Sequence, residues 1–223
     1  MTTQQWKQQG QVLSDVKGNI IPLIAYHQLG LMSVGIMFMY ATESDLQRAE
    51  CLVFAYYYIF GCFIWITHWL GHRRWFNRTW FRYHTMHHHV RDYPPRRFLV
   101  DRYFGANNRG GDKGWLSLAY WTDANLIAYT PSIPVTVAIV DRFAPLTASD
   151  VAGLSLFAFA FLIFQDYVHQ EVHTRGSRWE SSAWFQDLRR LHYQHHKGNC
   201  RHNYAMIDFS IDLLTGNFMN VAT

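Results

Sequence analysis

Twelve of the thirteen histidines in this chain fall in two windows, His68 to His89 and His169 to His202. Each window opens with H-x-x-x-H, at His68 and His72 in the first and at His169 and His173 in the second. Each then continues with H-x-x-H-H, at His84, His87 and His88 and at His192, His195 and His196. Residues at i, i+3 and i+4 of a helix share a face, so every group can aim two or three imidazoles at one point. One metal ion cannot use ten ring nitrogens. Two adjacent ions with roughly five each can, with a position left for oxygen or water. A solvated helix face is the rival reading of any single pair, but four groups in repeated order argue against it. Clustered imidazoles without a metal would repel one another on protonation and leave buried nitrogens unpaired.

The remaining histidines are read more plainly. Helical geometry turns His89 about 100° away from His88, which makes it a bystander of the triplet. His202, beside Asn203 and Tyr204, is a candidate for donating a hydrogen bond around the metal ligands or touching a substrate. His27 stands alone in an apolar stretch, where an interhelical hydrogen bond or a pocket role would justify a polar group. Asp166, one turn before His169, is a candidate for accepting the second N–H of a ligating imidazole. Asp187 and Glu171 are expected to face solvent.

The elements that must position these residues are apolar helices. Asn19 to Thr42 is uncharged for 24 residues and Cys51 to His72 for 22. Both meet the roughly 20 residues needed to cross a bilayer. Two weaker candidates follow: Trp115 to Val140, which carries Asp123, Pro131 and Pro134, and Val151 to Gln165, uncharged between Asp150 and Asp166. Ten basic residues lie between Arg73 and Lys113 and six between Arg175 and Arg201, with Lys7 and Lys17 near the start, against only Arg48 and Arg142 in two short acidic loops. By the positive-inside rule this places both histidine windows and both termini in the cytoplasm, on a multi-pass chain with four spans. A soluble all-helical protein is the competitor favoured by the mean hydropathy of −0.14. The long polar segments between spans account for that average.

The chain has 223 residues, 49% of them hydrophobic, enough for one domain that includes a polar tail over residues 1–18. That tail has no apolar core or cleavage site of a secretory signal. Three cysteines in no paired pattern exclude a disulfide framework. The net charge of +4 sits beside apolar blocks, which suits a membrane surface and membrane lipids rather than nucleic acid.

The stretches HWLGHRRWFNRTWFRYHTMHHH and DYVHQEVHTRGSRWE, followed by FQDLRRLHYQHH, resemble the fatty acid hydroxylase superfamily of membrane di-iron hydroxylases and desaturases, over about Ile59 to Gly216. NYAMIDFSIDLLTG is similar to that family's closing elements, with Ala205 and Leu214 departing from them. The resemblance implies an all-α integral-membrane protein. A four-helix transmembrane bundle would carry a cytosolic helical cap, and a histidine-rich dimetal site would lie where the two meet. It implies two iron ions, with zinc as a substitute in purified material, and O₂ as co-substrate. The ligands would be His68, His72, His84, His87, His88, His169, His173, His192, His195 and His196. Asp212 matches an aspartate of the closing elements and would accept from a ligating histidine. The implied reaction is hydroxylation, or desaturation, of a C–H bond in a lipophilic substrate such as a fatty acyl chain, sterol, carotenoid or alkyl natural product. Its electrons must come from a separate donor of ferredoxin or cytochrome b5 type, because no haem motif, cysteine cluster or nucleotide-binding loop is present in the sequence. A membrane metal transporter or a haem- or zinc-binding protein is the alternative class. Such proteins place their ligands near the middle of the spans, whereas these histidines lie at or beyond the span ends.

Overall fold

The structure is a computed structural model that describes residues 20–100, 129–198 and 200–219, with residues 20–22 and 83 as backbone only. Its elements run α1 (Ile20–Thr42), α2 (Leu46–Gly71), a short α3 (Arg78–Phe81), a π-helix (Arg82–Asp92), a 3₁₀ turn (Pro95–Arg97), α4 (Ser132–Phe143), α5 (Ala148–Val172), α6 (Ala183–Lys197) and α7 (Ser210–Leu214). Among the described residues the sole strand-like feature is an isolated bridge between Val100 and Thr174.

Three of these helices, α1, α2 and α5, are long and apolar enough to cross a membrane. At 1.5 Å per residue, α2 and α5 extend about 39 and 38 Å. The hydrocarbon layer is about 30 Å thick. Each can therefore cross and still project its last turns, where His68 and His72, and His169 and His173, sit. At most 39% of any one apolar window is buried inside the protein. Leu29, Met32, Ile36, Tyr40 and Ile66 point outward instead. An outward face this apolar is suited to lipid.

Local chemistry sets the helix ends away from the histidines. Glu43 takes a left-handed φ of 56°, which stops α1. Asp45 then caps α2 by accepting from Arg48 N at 2.8 Å. Thr147 and Asp150 form a reciprocal capping box on α5. Arg48 Nη2 joins the two ends by donating to buried Asp150 Oδ2 at 2.9 Å and to Pro145 O at 2.9 Å.

The expected span Trp115 to Val140 divides at the boundary of the described residues, since 115–128 lie outside them. Within them α4 has 12 residues and begins just after Pro131. At about 18 Å it is too short to cross a bilayer by itself. It packs against α2 and α5, and α1 also packs on both of those helices.

Two buried clusters divide the work. The first joins the long helices through Tyr56, Phe60, Leu154, Ala158 and Leu162. The second fastens α6 and the C-terminal segment to the projecting end of α5 through Val168, Val172, Phe185, Leu188, Leu191 and Phe209. The histidine windows meet where these clusters adjoin.

Candidate metal centre

Four helical segments deliver the imidazoles. His68 and His72 end α2, His169 and His173 end α5, the π-helix carries His84, His88 and His89, and α6 carries His192, His195 and His196. Their ring nitrogens gather into two groups. In the first, one nitrogen each of His68, His72, His84, His89 and His195 lie within 4.8 Å of one another. In the second, His88, His173, His192 and His196 do the same. His169 joins the second, its Nε2 3.1 Å from His88 Nε2 and 3.2 Å from His192 Nε2. Each group thus takes a pair from one long helix, two histidines from one cap helix and one from the other.

Nine of the ten residues expected as ligands are brought together, and the tenth place is filled differently. His87 is in neither group, while His89, expected as a bystander, is 5% exposed and in the first. The reason is the helix type. A π-helix closes i→i+5 bonds, as Tyr93 N to His88 O at 2.8 Å shows, and so carries more residues per turn. The shared face then falls at i, i+4 and i+5, which selects His84, His88 and His89. In α6 the ordinary i, i+3 and i+4 spacing holds for His192, His195 and His196.

The outer nitrogens are pinned. Nδ1–H of His68 donates to Tyr204 O at 2.5 Å, of His173 to Phe98 O at 3.1 Å, of His195 to His202 O at 2.6 Å and of His196 to Tyr93 O at 2.7 Å. His72 Nδ1–H donates to Thr85 Oγ1 at 3.1 Å, and that hydroxyl donates in turn to Gly71 O. Five acceptors fix five rings in one tautomer, with the Nε2 lone pair facing inward. His72 and His195 consequently oppose lone pairs across 3.1 Å. His192 Nε2 meets those of His169, His173 and His196 at 3.2, 3.0 and 3.1 Å. A single proton on His192 can satisfy one of these three contacts. The buried Nε2 of His68 has no hydrogen-bond partner among the described residues.

A cation relieves every one of these conflicts. Two nitrogens bound to one ion at 2.0–2.1 Å and about 90–105° apart would themselves be roughly 2.8–3.3 Å apart, and the Nε2 pairs are separated by 3.0 to 3.3 Å. Burial, reinforced by neighbouring imidazoles, holds His88, His89, His192 and His196 well below the usual imidazole range. Burial likewise pushes His195 down to about 4. The rings are therefore neutral near neutral pH, the form that binds a metal. The donor set fits a transition metal that accepts imidazole.

The surrounding chain explains how these acceptors are held. Val100 N donates to His173 O at 2.9 Å and Arg175 N to Val100 O at 2.8 Å, which lays Phe98 beside His173. Buried Arg189 donates to Thr174 O at 2.8 Å and clamps the end of α5. Asp212 does not touch a histidine. It accepts from Trp65 Nε1, Tyr204 N and Ala205 N at 2.8, 3.0 and 2.8 Å, and so orients the Tyr204 carbonyl that His68 uses. His202 contributes its carbonyl rather than its ring. Asp187 and Glu171, expected in solvent, are buried, Glu171 accepting from Ser177 Oγ at 2.6 Å.

Asp166 lines a small cavity that touches both groups. Its wall also includes His68, His84, His169, Tyr129, Gln165 and Met206. At about 10 Å³ it has room for one water-sized molecule. Sequence reasoning had no signal for Phe98, Tyr93 or Tyr204, because a backbone carbonyl can belong to any residue type, and none for the Thr85 hydroxyl, one of many in the chain.

No known protein family, curated protein or solved structure matches this chain.

Proposed function

We propose that this chain is a membrane-embedded oxygenase that holds two metal ions, iron in the working protein, and inserts oxygen into a C–H bond of a lipophilic substrate. Ten imidazoles, nine of them buried and His72 half-buried, five to a group with opposed Nε2 lone pairs and no carboxylate among them, carry the reading. His68, His72, His84, His89 and His195 would hold one ion, and His88, His169, His173, His192 and His196 the other. Bound there, the metals would supply O₂ reduction at a low-valent pair. The balance is R–H plus O₂, two electrons and two protons giving R–OH and water; loss of a second hydrogen instead gives an alkene.

The chain's own residues set the conditions for that chemistry. The five pinned Nδ1–H groups keep the inner nitrogens aimed and lower the reorganisation needed on binding. The cavity at His68, His84 and His169 admits a molecule no larger than water beside both groups. Leu162 and Met206 keep it apolar on the side toward the long helices, and Asp166 and Gln165 offer polar atoms for a proton. Electrons come from an external donor of ferredoxin or cytochrome b5 type docking on the basic segments around Arg73, Arg74, Arg96 and Arg97. Those segments and both termini face the cytoplasm in this reading.

The experiment is metal analysis of protein purified after expression in iron-replete cells, coupled to O₂ uptake with a chemical or protein reductant. Two iron ions per chain and reductant-dependent O₂ uptake support the proposal. Zinc-loaded protein that gains no O₂ uptake when reconstituted with ferrous iron overturns it.

A further inference from the structure

A second, much larger cavity of about 870 Å³ lies between α1 and α5, apart from the histidine groups. That volume is within the roughly 300–1,000 Å³ of small-molecule sites. Its α1 wall is the stripe His27, Gly30, Leu31, Val34, Phe38 and Ala41, and its α5 wall includes Gly153, Phe157, Phe161 and Phe164. From His27 to Ala41 is about 21 Å at 1.5 Å per residue. An extended chain covers roughly 1.2 Å per bond, taking a residue's three backbone bonds as 3.3–3.6 Å. The cleft is thus as long as a linear molecule of about 17 bonds.

Its two ends differ. At the far end Phe38 closes the floor, its ring so close to Gly153 that an added Cβ there would lie 2.7 Å from it. At the other end stand Trp184, Ile207 and His27. Ile207 is the neighbour of Met206, which lines the small cavity at the histidines. On α5, Phe161 and Phe164 face the cleft while Leu162 and Gln165 face that cavity. The two spaces thus lie on different faces of α5 and on either side of the Met206–Ile207 pair.

The polar atoms of the cleft gather at that end. His27 Nε2 is buried without a hydrogen-bond partner among the described residues, 4.0 Å from Asp208 Oδ2. Asp208 accepts from Tyr57 Oη at 3.3 Å, Ser210 Oγ at 2.8 Å and Ser210 N at 3.0 Å, so both of its oxygens act as acceptors. A ligand group that bonds to His27 must sit beside these buried acceptor oxygens, whose lone pairs oppose those of a second carboxylate and accept from a hydroxyl or amide N–H.

We propose that the α1–α5 cleft binds a long-chain amphiphile with a neutral polar head, such as an alcohol or amide, its head at His27 and its tail running toward Gly153. Resting on the oxygenase reading, this places the carbon nearest the metals close to the head, so oxidation falls there and not at the far methyl.

The test uses hexadecanol and hexadecanoate probes that carry a photoreactive diazirine, applied to the metal-loaded full chain in membranes. Hexadecanol labels peptides of α1 and α5, and hexadecanoate labels them at least tenfold less. Gly30→Trp, whose added Cβ meets nothing within 4 Å, fills the cleft and cuts hexadecanol labelling at least tenfold. Gly30→Leu gives a smaller loss if the Trp variant fails to insert. Asp208→Asn raises hexadecanoate labelling toward that of the alcohol. Equal labelling of both probes overturns the head-group assignment, and labelling unchanged by both Gly30 variants means ordinary lipid contact and overturns the site. Labelling needs no turnover, so a labelled but inactive protein sinks the oxygenase reading and leaves the cleft standing. With turnover present, product oxidised at the far methyl overturns the proposed orientation.

Discussion

Replacing His89 with alanine should cost the first group most of its affinity, and replacing His87 should not. His89 supplies one of five nitrogens, with its Nε2 3.3 Å from that of His84 and its ring 4.9 Å from His84 and 4.7 Å from His72 between centroids. Structural metal sites with four ligands gain roughly 10–16 kcal/mol, or about 2.5–4 kcal/mol per ligand. At 1.4 kcal/mol for each factor of ten, one ligand is worth about 100- to 1,000-fold. Water entering the vacated position softens the loss toward the lower figure. His87 is half-buried and in neither group, so its alanine variant should bind within about threefold of the parent. The assay is competition against a chelator of known affinity on detergent-solubilised protein, with metal per chain measured alongside. His89→Ala should fall to one tightly held ion per chain while His87→Ala keeps two. The reverse pattern would refute the π-helical register and restore the spacing read from the sequence.

Two further outcomes follow from the same geometry. Asp212→Ala removes the acceptor of Trp65, Tyr204 and Ala205, freeing the carbonyl that pins His68. It should weaken the first ion by about 10- to 100-fold and leave the second in place. Loss of both ions together would mean that Asp212 supports the fold rather than His68. The metal-free protein should lose stability as pH falls from about 6.5. Unfolded histidines take up protons there, while His88, His89, His192 and His196 resist and His195 resists down to about 4. The sign follows from linkage, since the unfolded chain binds more protons across this window. Melting temperatures of chelator-treated protein at about pH 7 and pH 5 measure it, and a flat profile would contradict the buried neutral rings. Metal at a thousand times its dissociation constant should restore about 4 kcal/mol per site.

The long helices were legible because uncharged runs of this length have few other uses. Their limits were less so. Asn19 to Thr42 is found as α1 almost unchanged, whereas Val151 to Gln165 is the middle of a helix that runs from Ala148 to Val172. A charged residue ends an uncharged run without ending a helix. Asp150 is the third residue of a capping box and pairs with Arg48, and Asp166 faces the small cavity rather than lipid. Glu171 lies in the projecting last turn, where Ser177 can reach it. Trp115 to Val140 is described only over its last twelve residues, 129–140, where Pro131 precedes α4 and Pro134 sits in its first turn, a position that tolerates proline.

The histidine groups were legible as a set and illegible by one residue. In α6, His192 and His196 serve one group from positions i and i+4, and His195 at i+3 crosses to the other. An α-helix through His84, His87 and His88 would repeat that division, with His84 and His88 on one side and His87 crossing. The π-helix performs the same division one residue later: His84 and His89 serve the first group from i and i+5, and His88 at i+4 crosses to the second. Three consecutive histidines make both registers available in the sequence, and the 3.6-residue period selects the wrong one. π turns are rare, because they give up regular α packing, and they concentrate at functional sites. Their presence here is explained if the constraint on the segment is the placement of three imidazoles between two ions. The carbonyl of Tyr93, next after the π-helix, supports that explanation, since it accepts His196 Nδ1–H at 2.7 Å and would be carried to a different position by an α-helical turn. The irregular helix is thus where demands from both groups meet, and it is the segment whose conformation should depend most on the metals.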